Sequence, residues 1–143
     1  SQRPLLKVGD YFAGVSICYE DAFGNETAQS MPDAAYLINV SNDAWFGDSL
    51  APYQHLQIAR MRAIETGRDM IRATNTGISA IVDYRGKVLQ ESAQASTEVL
   101  QGKIQLRQGT TFYSRYKDWP ILIMAVLLVL IALLDRVFVR PRH

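Results

Sequence analysis

The sequence predicts an α/β fold, in which helices pack on a β-sheet. Two short apolar runs, Tyr11 to Cys18 and Ala35 to Val40, have the length and the residue types of strands. The second run is predominantly apolar, as expected for a strand that is buried on both faces. A helical pattern follows it, and strands and helices therefore alternate along the chain.

The helical segments lie between these strands and after them. The polar segment from Glu20 to Ser30 predicts a short helix that ends before Pro32. A longer helix is predicted from about Pro52 to Arg68, with Ser49 as a capping residue and Gly67 near its end. Its apolar residues recur at helical spacing: Leu56, Ala59, Ala63 and Ile64.

The rest of the first region of the chain, residues 1–106, predicts further strands. They are expected at Met70 to Thr74, Ile78 to Asp83, Val88 to Gln90 and Val99 to Leu106. This number of strands is too small for a complete large sandwich. The sequence therefore indicates part of a longer protein, and its first residues, Ser1 to Pro4, read like the middle of one.

The chain changes character near its C-terminus. A polar linker at 107–118 precedes sixteen residues without a charge, Trp119 to Leu134, and a basic tail follows at 140–143. A helix that spans a bilayer needs about 20 apolar residues, and interfacial Trp119 and Arg136 could lengthen this one. We expect a transmembrane helix with its flank at 119–139; a buried core helix is the alternative.

Composition excludes several classes of function. A net charge of +1 gives no sign of a nucleic-acid surface. The single cysteine excludes an intramolecular disulfide and a zinc site built from cysteines. We expect neither a metal nor a cofactor. His55 alone is a poor metal site, and a packing role is its simpler explanation.

Cys18 is the candidate nucleophile, because a residue at the carboxyl end of a strand is exposed where loops can form an oxyanion site. The alternative is a small core residue, which is what most free cysteines are. The stretch from Val8 to Ala59 has seven acids and no Lys or Arg. If Cys18 is a nucleophile, its base and a cation must therefore come from elsewhere in space.

Other candidate residues also have two interpretations. Glu20 could orient a substrate or be a solvated loop acid. Glu65 could be a buried acid paired with Arg68 or Arg72, and an ion pair is the simpler reading. Trp45, with its aromatic neighbour, could line an acyl-chain pocket or fill a hydrophobic gap.

Several motifs in order resemble one family. The chain resembles apolipoprotein N-acyltransferases of the nitrilase superfamily from Val8 to Leu134. The motifs are Ile17-Cys18-Tyr19-Glu20, Ser41-Asn42-Asp43-Ala44-Trp45-Phe46-Gly47, Pro52 with Gln54-His55-Leu56-Gln57, Ala59-Arg60-Met61-Arg62-Ala63 with Glu65, and Arg72-Ala73-Thr74-Asn75 with Gly77. Each motif alone is weak, but their order is specific.

This resemblance implies a fold and an activity. The fold would be part of a nitrilase-like α-β-β-α sandwich, on the periplasmic side of the bacterial inner membrane. The enzyme would use a Glu-Lys-Cys triad to move an acyl chain from a phospholipid to a thioester. The N-terminal amine of a diacylglyceryl-modified lipoprotein would then accept the chain.

The resemblance also assigns residues. Cys18 would be the nucleophile, the backbone N–H of Tyr19 would help to hold the oxyanion, Glu20 would match an acid needed near the nucleophile, and Trp45 would match a loop residue beside the site. The family's Glu and Lys lie upstream of the cysteine, and Lys7 is too near the strand to match that Lys. We therefore expect them in an upstream part of the same protein, without which this chain is inactive.

Two alternatives remain open at this stage. The chain could belong to a membrane-anchored amidase of the nitrilase type, in which water is the acceptor. It could also be a non-catalytic, membrane-anchored binding domain that keeps Cys18 for packing.

Overall fold

A computed structural model describes residues 5–47 and 49–138 of the chain. The predictions for residues 1–4, for the basic tail at 140–143 and for His143 lie outside these residues. In the described part, six strands form one sheet: β1 (Leu5–Val8), β2 (Tyr11–Ile17), β3 (Ala34–Ser41), β4 (Met70–Thr74), β5 (Ala80–Val82) and β6 (Val88–Glu91). The α-helices are α1 (Gly24–Thr27), α2 (Ala51–Thr66), α3 (Phe112–Tyr116) and α4 (Trp119–Phe138).

The strands lie in the sheet in their order along the chain. β2, β3 and β4 are parallel, with crossovers through α1 and α2, whereas β1, β5 and β6 pair antiparallel to their neighbours. Since parallel strands end at the same edge of a sheet, the segments that follow β2, β3 and β4 meet there. This confirms the predicted α/β class and defines the edge where a site can form.

Two strand assignments from the sequence need correction. The strand Leu5–Val8 was not predicted; it forms a hairpin with β2 around Gly9, which has a φ of 60°. The strand predicted at Val99 to Leu106 is wrong, because that segment is extended but irregular. Separate hydrogen bonds, not a strand ladder, connect it to its neighbours. Gln105 N–H donates to the Asp69 carboxylate at 2.7 Å, and just beyond the segment Arg107 N–H donates to the Ala35 carbonyl at 3.1 Å.

Helix α2 covers one face of the sheet. Its buried Leu56, Ala59 and Ala63 pack with Leu37 and Met70 of the strands, as helical spacing predicted. Ile64, which was grouped with them, is 54% exposed and does not belong to this core. The helix ends at Gly67, whose φ of 65° is the left-handed conformation that caps many helices.

The other face of the sheet is apolar but incompletely covered. Tyr36, with Ala13 and Ala35, forms a small cluster to which Ile38 and Ile104 add partly buried contacts. Towards the carboxyl ends of the strands, Ile17 is 64% and Val40 is 50% exposed. The described residues thus supply one layer of helix and one sheet, with an apolar outer surface.

Helix α4 has exposed apolar side chains on every side. Twelve of them between Ile121 and Leu134 are about half exposed or more: Ile121, Leu122, Ile123, Met124, Val126, Leu127, Leu128, Val129, Leu130, Ile131, Leu133 and Leu134. Even so, no helix within residues 5–47 and 49–138 has the length and the apolar character needed to cross a membrane. The transmembrane helix expected at 119–139 is therefore not confirmed.

Candidate active site

Cys18 lies at the edge of the sheet, directly after β2. The strand ends at Ile17, and Cys18 begins a short 3-10 helix, Cys18–Ala22. Its side chain is partly exposed, and its φ is 53°. A left-handed conformation is rare for a residue other than Gly, Asn or Asp, and such strained residues cluster at functional sites. The sharp turn presents the thiol at the end of a parallel strand.

A buried amide lies behind this turn. Asn39, in β3, is fully buried, and its Nδ2 donates to the Cys18 carbonyl at 3.1 Å and to the Ser16 hydroxyl at 3.0 Å. Arg72, in β4, donates from Nη1 to the Asn39 Oδ1 at 2.5 Å. A hydrogen-bonded chain therefore connects the third parallel strand to the backbone of Cys18.

Arg72 also binds two carboxylates, which follow the other two parallel strands. Its Nη2 lies 2.9 Å from Asp43 Oδ2, and its Nη1 lies 3.4 Å from Asp21 Oδ2. The side chains of all three residues are fully buried. Buried charges of this kind are retained only when they are paired and hydrogen bonded. Arg72 thus joins the turn that contains Cys18 to the loop that follows β3.

His55 completes this cluster from helix α2. Its Nε2 lies 2.9 Å from Asp21 Oδ1 and its Nδ1 lies 3.2 Å from Asp43 Oδ1, so the ring bridges the two carboxylates that Arg72 also bridges. The ring of Tyr19 lies against it, with centroids 5.5 Å apart. His55 therefore has a structural role through hydrogen bonds to both carboxylates, where the sequence suggested packing alone. No group of His, Cys, Asp or Glu in the part of the chain that the structure describes could hold a metal ion.

The predicted site residues Glu20, Tyr19 and Trp45 occupy different positions around Cys18. Glu20 Oε2 accepts a hydrogen bond at 2.9 Å from the backbone N–H of Ile17, which closes the turn at Cys18. Tyr19 is half exposed, and Trp45 is 85% exposed on the loop after β3. Glu20 and Tyr19 are thus in the turn itself, whereas Trp45 lies on the loop that follows β3.

Hydrogen bonds to buried residues and to the loop after β4 fix the loop that contains Trp45. Asp43, two residues earlier, accepts hydrogen bonds from Ser41 Oγ and Arg72, and its backbone N–H donates to Asn75 Oδ1 at 3.0 Å. Asn75 follows β4 and also donates from Nδ2 to Asn42 Oδ1 at 2.7 Å. The loops after β3 and β4 therefore form one connected rim beside Cys18, and this rim presents an exposed indole.

A second polar cluster lies at the other end of α2. Glu65 pairs with Arg62 at 3.0 Å, and the predicted pairing of Glu65 with Arg68 or Arg72 is wrong. Arg68 instead donates to the backbone carbonyls of Ala34 and Gly109. Burial raises the pKa of Glu65, while Arg62 lowers it and Asp118 raises it further. The first of these effects is the largest, so the pKa of Glu65 lies above its ordinary value in the folded protein.

Replacing Glu65 by glutamine should remove a pH-dependent loss of stability. The folded pKa lies above the ordinary value of 4.5, so between the two the folded chain binds more protons than the unfolded chain. The contribution of Glu65 to the free energy of unfolding is thus present at low pH and is lost as the pH rises from 4.5 through the folded pKa. We expect the unfolding midpoint of Glu65→Gln to rise relative to wild type as pH increases from 4.5 to 8, measured by thermal unfolding.

The matched control for that measurement is Glu91→Gln. Glu91 is exposed in β6, so its removal should leave a midpoint difference that does not vary in this way. A Glu65→Gln difference that stays constant over the same pH range would contradict the assignment of a raised pKa.

The sequence missed the buried cluster as a whole. Asp21, Asn39 and Asp43 were not selected, and Arg72 was considered only as a partner of Glu65. One signal was present for two of them: Asn39 and Arg72 stand within predicted strands, where an apolar residue would otherwise be expected. A polar residue at such a position predicts a buried network.

Comparisons with known proteins identify relatives at two levels. The family model described as carbon-nitrogen hydrolase matches residues 2–112. Proteins named apolipoprotein N-acyltransferase are 50% identical over 119 residues in Methylococcus capsulatus, 50% over 129 residues in Nitrosomonas europaea and 42% over 136 residues in Pseudomonas aeruginosa. These alignments cover 83%, 90% and 95% of this chain. The resemblance to apolipoprotein N-acyltransferases is confirmed.

The same alignments show the extent of the chain. It spans about a quarter of the length of these curated relatives: 24%, 26% and 27%. Among solved structures, an amidase from Nesterenkonia sp. AN1 matches with a TM-score of 0.53 and 20% identity, over 66% of this chain and 38% of the amidase. At this identity the match shows a shared fold.

Proposed function

Because the chain belongs to the carbon-nitrogen hydrolase family, we propose that it carries the nucleophilic cysteine of an apolipoprotein N-acyltransferase. The observation that carries the proposal is Cys18, with a φ of 53°, in a turn at the edge where three parallel strands end. Relatives of that name, up to 50% identical over 83% of this chain or more, support the choice of reaction within the family.

The proposed reaction has two half-reactions that share one thioester. In the first, the Cys18 sulfur attacks the ester carbonyl carbon of a phospholipid; a C–S bond forms, the ester C–O bond breaks, and lysophospholipid leaves with the thiol proton. In the second, the N-terminal amine of a diacylglyceryl-lipoprotein attacks the thioester; an amide forms, the thiol is released, and the amine proton returns to it. Neither half-reaction needs a cofactor or a metal.

We assign roles to three neighbouring residues within this proposal. The backbone N–H of Tyr19 donates to the oxyanion that forms on the attacked carbonyl. Glu20 holds the turn through the Ile17 N–H. Trp45, exposed on the rim that Asp43 fixes, contacts the acyl chain.

The base and the cation of the site come, in this proposal, from an upstream part of the same protein. Residues 8–59 contain no Lys or Arg, and Arg72 is fully buried between two carboxylates. A cysteine surrounded by acids needs both groups from elsewhere to become a thiolate. The same upstream part supplies the second sheet of the sandwich, which covers the apolar outer face where Ile17 and Val40 are exposed.

We further propose a location at the bacterial inner membrane, with the sheet on the periplasmic side. The support is helix α4, whose apolar side chains are exposed over its whole circumference. Large exposed apolar patches mark interaction surfaces. Lipid is the partner that fits it, because the acyl donor is a phospholipid and must reach the Cys18 thiol.

The decisive experiment looks for the thioester on the full-length protein in its native membrane. After detergent extraction and trypsin digestion, the peptide from Val8 to Arg60, which contains the single cysteine, is examined for an acyl adduct that hydroxylamine removes. We expect this adduct in the wild type and complete loss of adduct and of acyl transfer in Cys18→Ala. Cys18→Ser is the matched variant: it keeps the shape and forms at most an oxyester, which is resistant to neutral hydroxylamine.

Each outcome decides between the proposed functions. An adduct that transfers to a lipoprotein amine supports the acyltransferase. An adduct that only water removes would instead support the amidase. An unmodified peptide in active membranes supplied with phospholipid would overturn the acyltransferase and leave the amidase or the non-catalytic binding domain. Transfer that survives in Cys18→Ser at the wild-type rate would overturn Cys18 as the nucleophile.

A further inference from the structure

We propose that Asn39 is a positioning residue for the oxyanion site of Cys18. Its side-chain amide, oriented by Arg72, holds the peptide group that joins Cys18 to Tyr19 and thereby aims the Tyr19 N–H at the substrate. This inference rests on the proposed function for the identity of the acyl donor.

The argument starts from the strain at Cys18. A φ of 53° is strained in a residue with a Cβ, so surrounding contacts must hold it. Of the contacts in the described structure, Asn39 Nδ2 reaches the turn from inside the sheet and donates to the Cys18 carbonyl at 3.1 Å. Without that donor, the Cys18 carbonyl would lose a partner on its buried side and the turn could relax.

The orientation of the Asn39 amide follows from its neighbours. A guanidinium has donors only, so the Asn39 atom that lies 2.5 Å from Arg72 Nη1 must be the oxygen. The amide NH₂ group then faces the Cys18 carbonyl and the Ser16 hydroxyl. Arg72 is itself held by Asp21 and Asp43, so a rotated amide would lose its hydrogen bond to Arg72 and place its NH₂ group against the guanidinium.

The held carbonyl belongs to the same peptide group as the Tyr19 N–H. In a trans peptide, the C=O and the N–H point in opposite directions from one rigid plane. Holding the Cys18 carbonyl towards the interior therefore directs the Tyr19 N–H outwards, to the side on which a substrate would bind Cys18. Asn39 thus acts on the developing oxyanion through the backbone, without touching the substrate.

The test compares acylation with alkylation in the full-length protein. Asn39→Leu keeps the size and removes all hydrogen bonds, whereas Asn39→Asp still accepts from Arg72 but cannot donate to Cys18. Both variants should lower kcat for acylation by phospholipid and by a p-nitrophenyl ester about 10–100-fold, with KM unchanged. Alkylation of Cys18 by iodoacetamide forms no oxyanion, so its high-pH plateau should match that of the wild type.

Thr66→Val is the matched control, because it removes a different buried hydrogen bond, from Thr66 Oγ1 to the Arg62 carbonyl at 2.7 Å. It should lower the unfolding temperature and leave kcat unchanged. A wild-type kcat in both Asn39 variants, or acylation and alkylation falling together, would overturn the inference. If wild type reacts with the p-nitrophenyl ester but not with phospholipid, the proposed function fails while the ester data still decide the role of Asn39.

Discussion

Replacing Arg72 by leucine is expected to lower the free energy of unfolding by about 3–5 kcal/mol. The substitution removes the guanidinium that binds Asp21 and Asp43 and leaves two carboxylates with fully buried side chains. Only His55 would then remain between them. Removing one partner of a buried pair is more costly than the net value of the pair, because the desolvated charge stays behind.

Chemical denaturation of the full-length protein, followed through the unfolding of this domain, measures the effect. Arg85→Leu is the matched control, since Arg85 is exposed and lies over the Tyr84 ring, and we expect a change within about 0.5 kcal/mol. The double variant Arg72→Leu/Asp43→Asn should recover part of the loss, because it also removes one buried charge. Equal losses in Arg72→Leu and Arg85→Leu would show that the cluster does not stabilise the fold.

The sequence predicted the framework of the fold well where a periodic pattern was strong. The strands at Ala35 to Val40 and Met70 to Thr74 and the helix from about Pro52 were correct within a few residues. The two errors have a common physical cause. β1 depends on pairing with β2, and the segment at 99–106 pairs with no strand of the described residues; local composition reports neither fact.

The candidate site was predicted only in its surface residues. A motif identifies Cys18 and Glu20, because they lie close together along the chain. The residues that support them come from four separate elements, and only the parallel arrangement of β2, β3 and β4 brings them together. The acidic stretch around Cys18 looked unfavourable for a thiolate, yet two of its acids are occupied by Arg72 and His55.

Substituting Gly77 by alanine is expected to disrupt this cluster from outside it. A Cβ at Gly77 would lie 2.8 Å from Asp43 Cγ and closer still to Asp43 Oδ2, so the carboxylate must move. Asp43 would then lose its bonds to Arg72 and His55, which are set at 2.9 and 3.2 Å. Overpacking of this kind costs about 1–3 kcal/mol, and we expect a loss of stability in that range by chemical denaturation.

The cause of that loss can be separated from a general intolerance of glycine replacement. Gly102→Ala is the matched control, because its Cβ would meet only the end of the flexible Ile81 side chain, at 2.7 Å from Cδ1. In a background of Asp43→Gly, where neither the carboxylate nor the Cβ of residue 43 remains to be displaced, Gly77→Ala should have almost no further effect. If the two substitutions instead add fully, Gly77 acts through another contact, and the rim beside Cys18 is not held in place by the fit between Gly77 and Asp43.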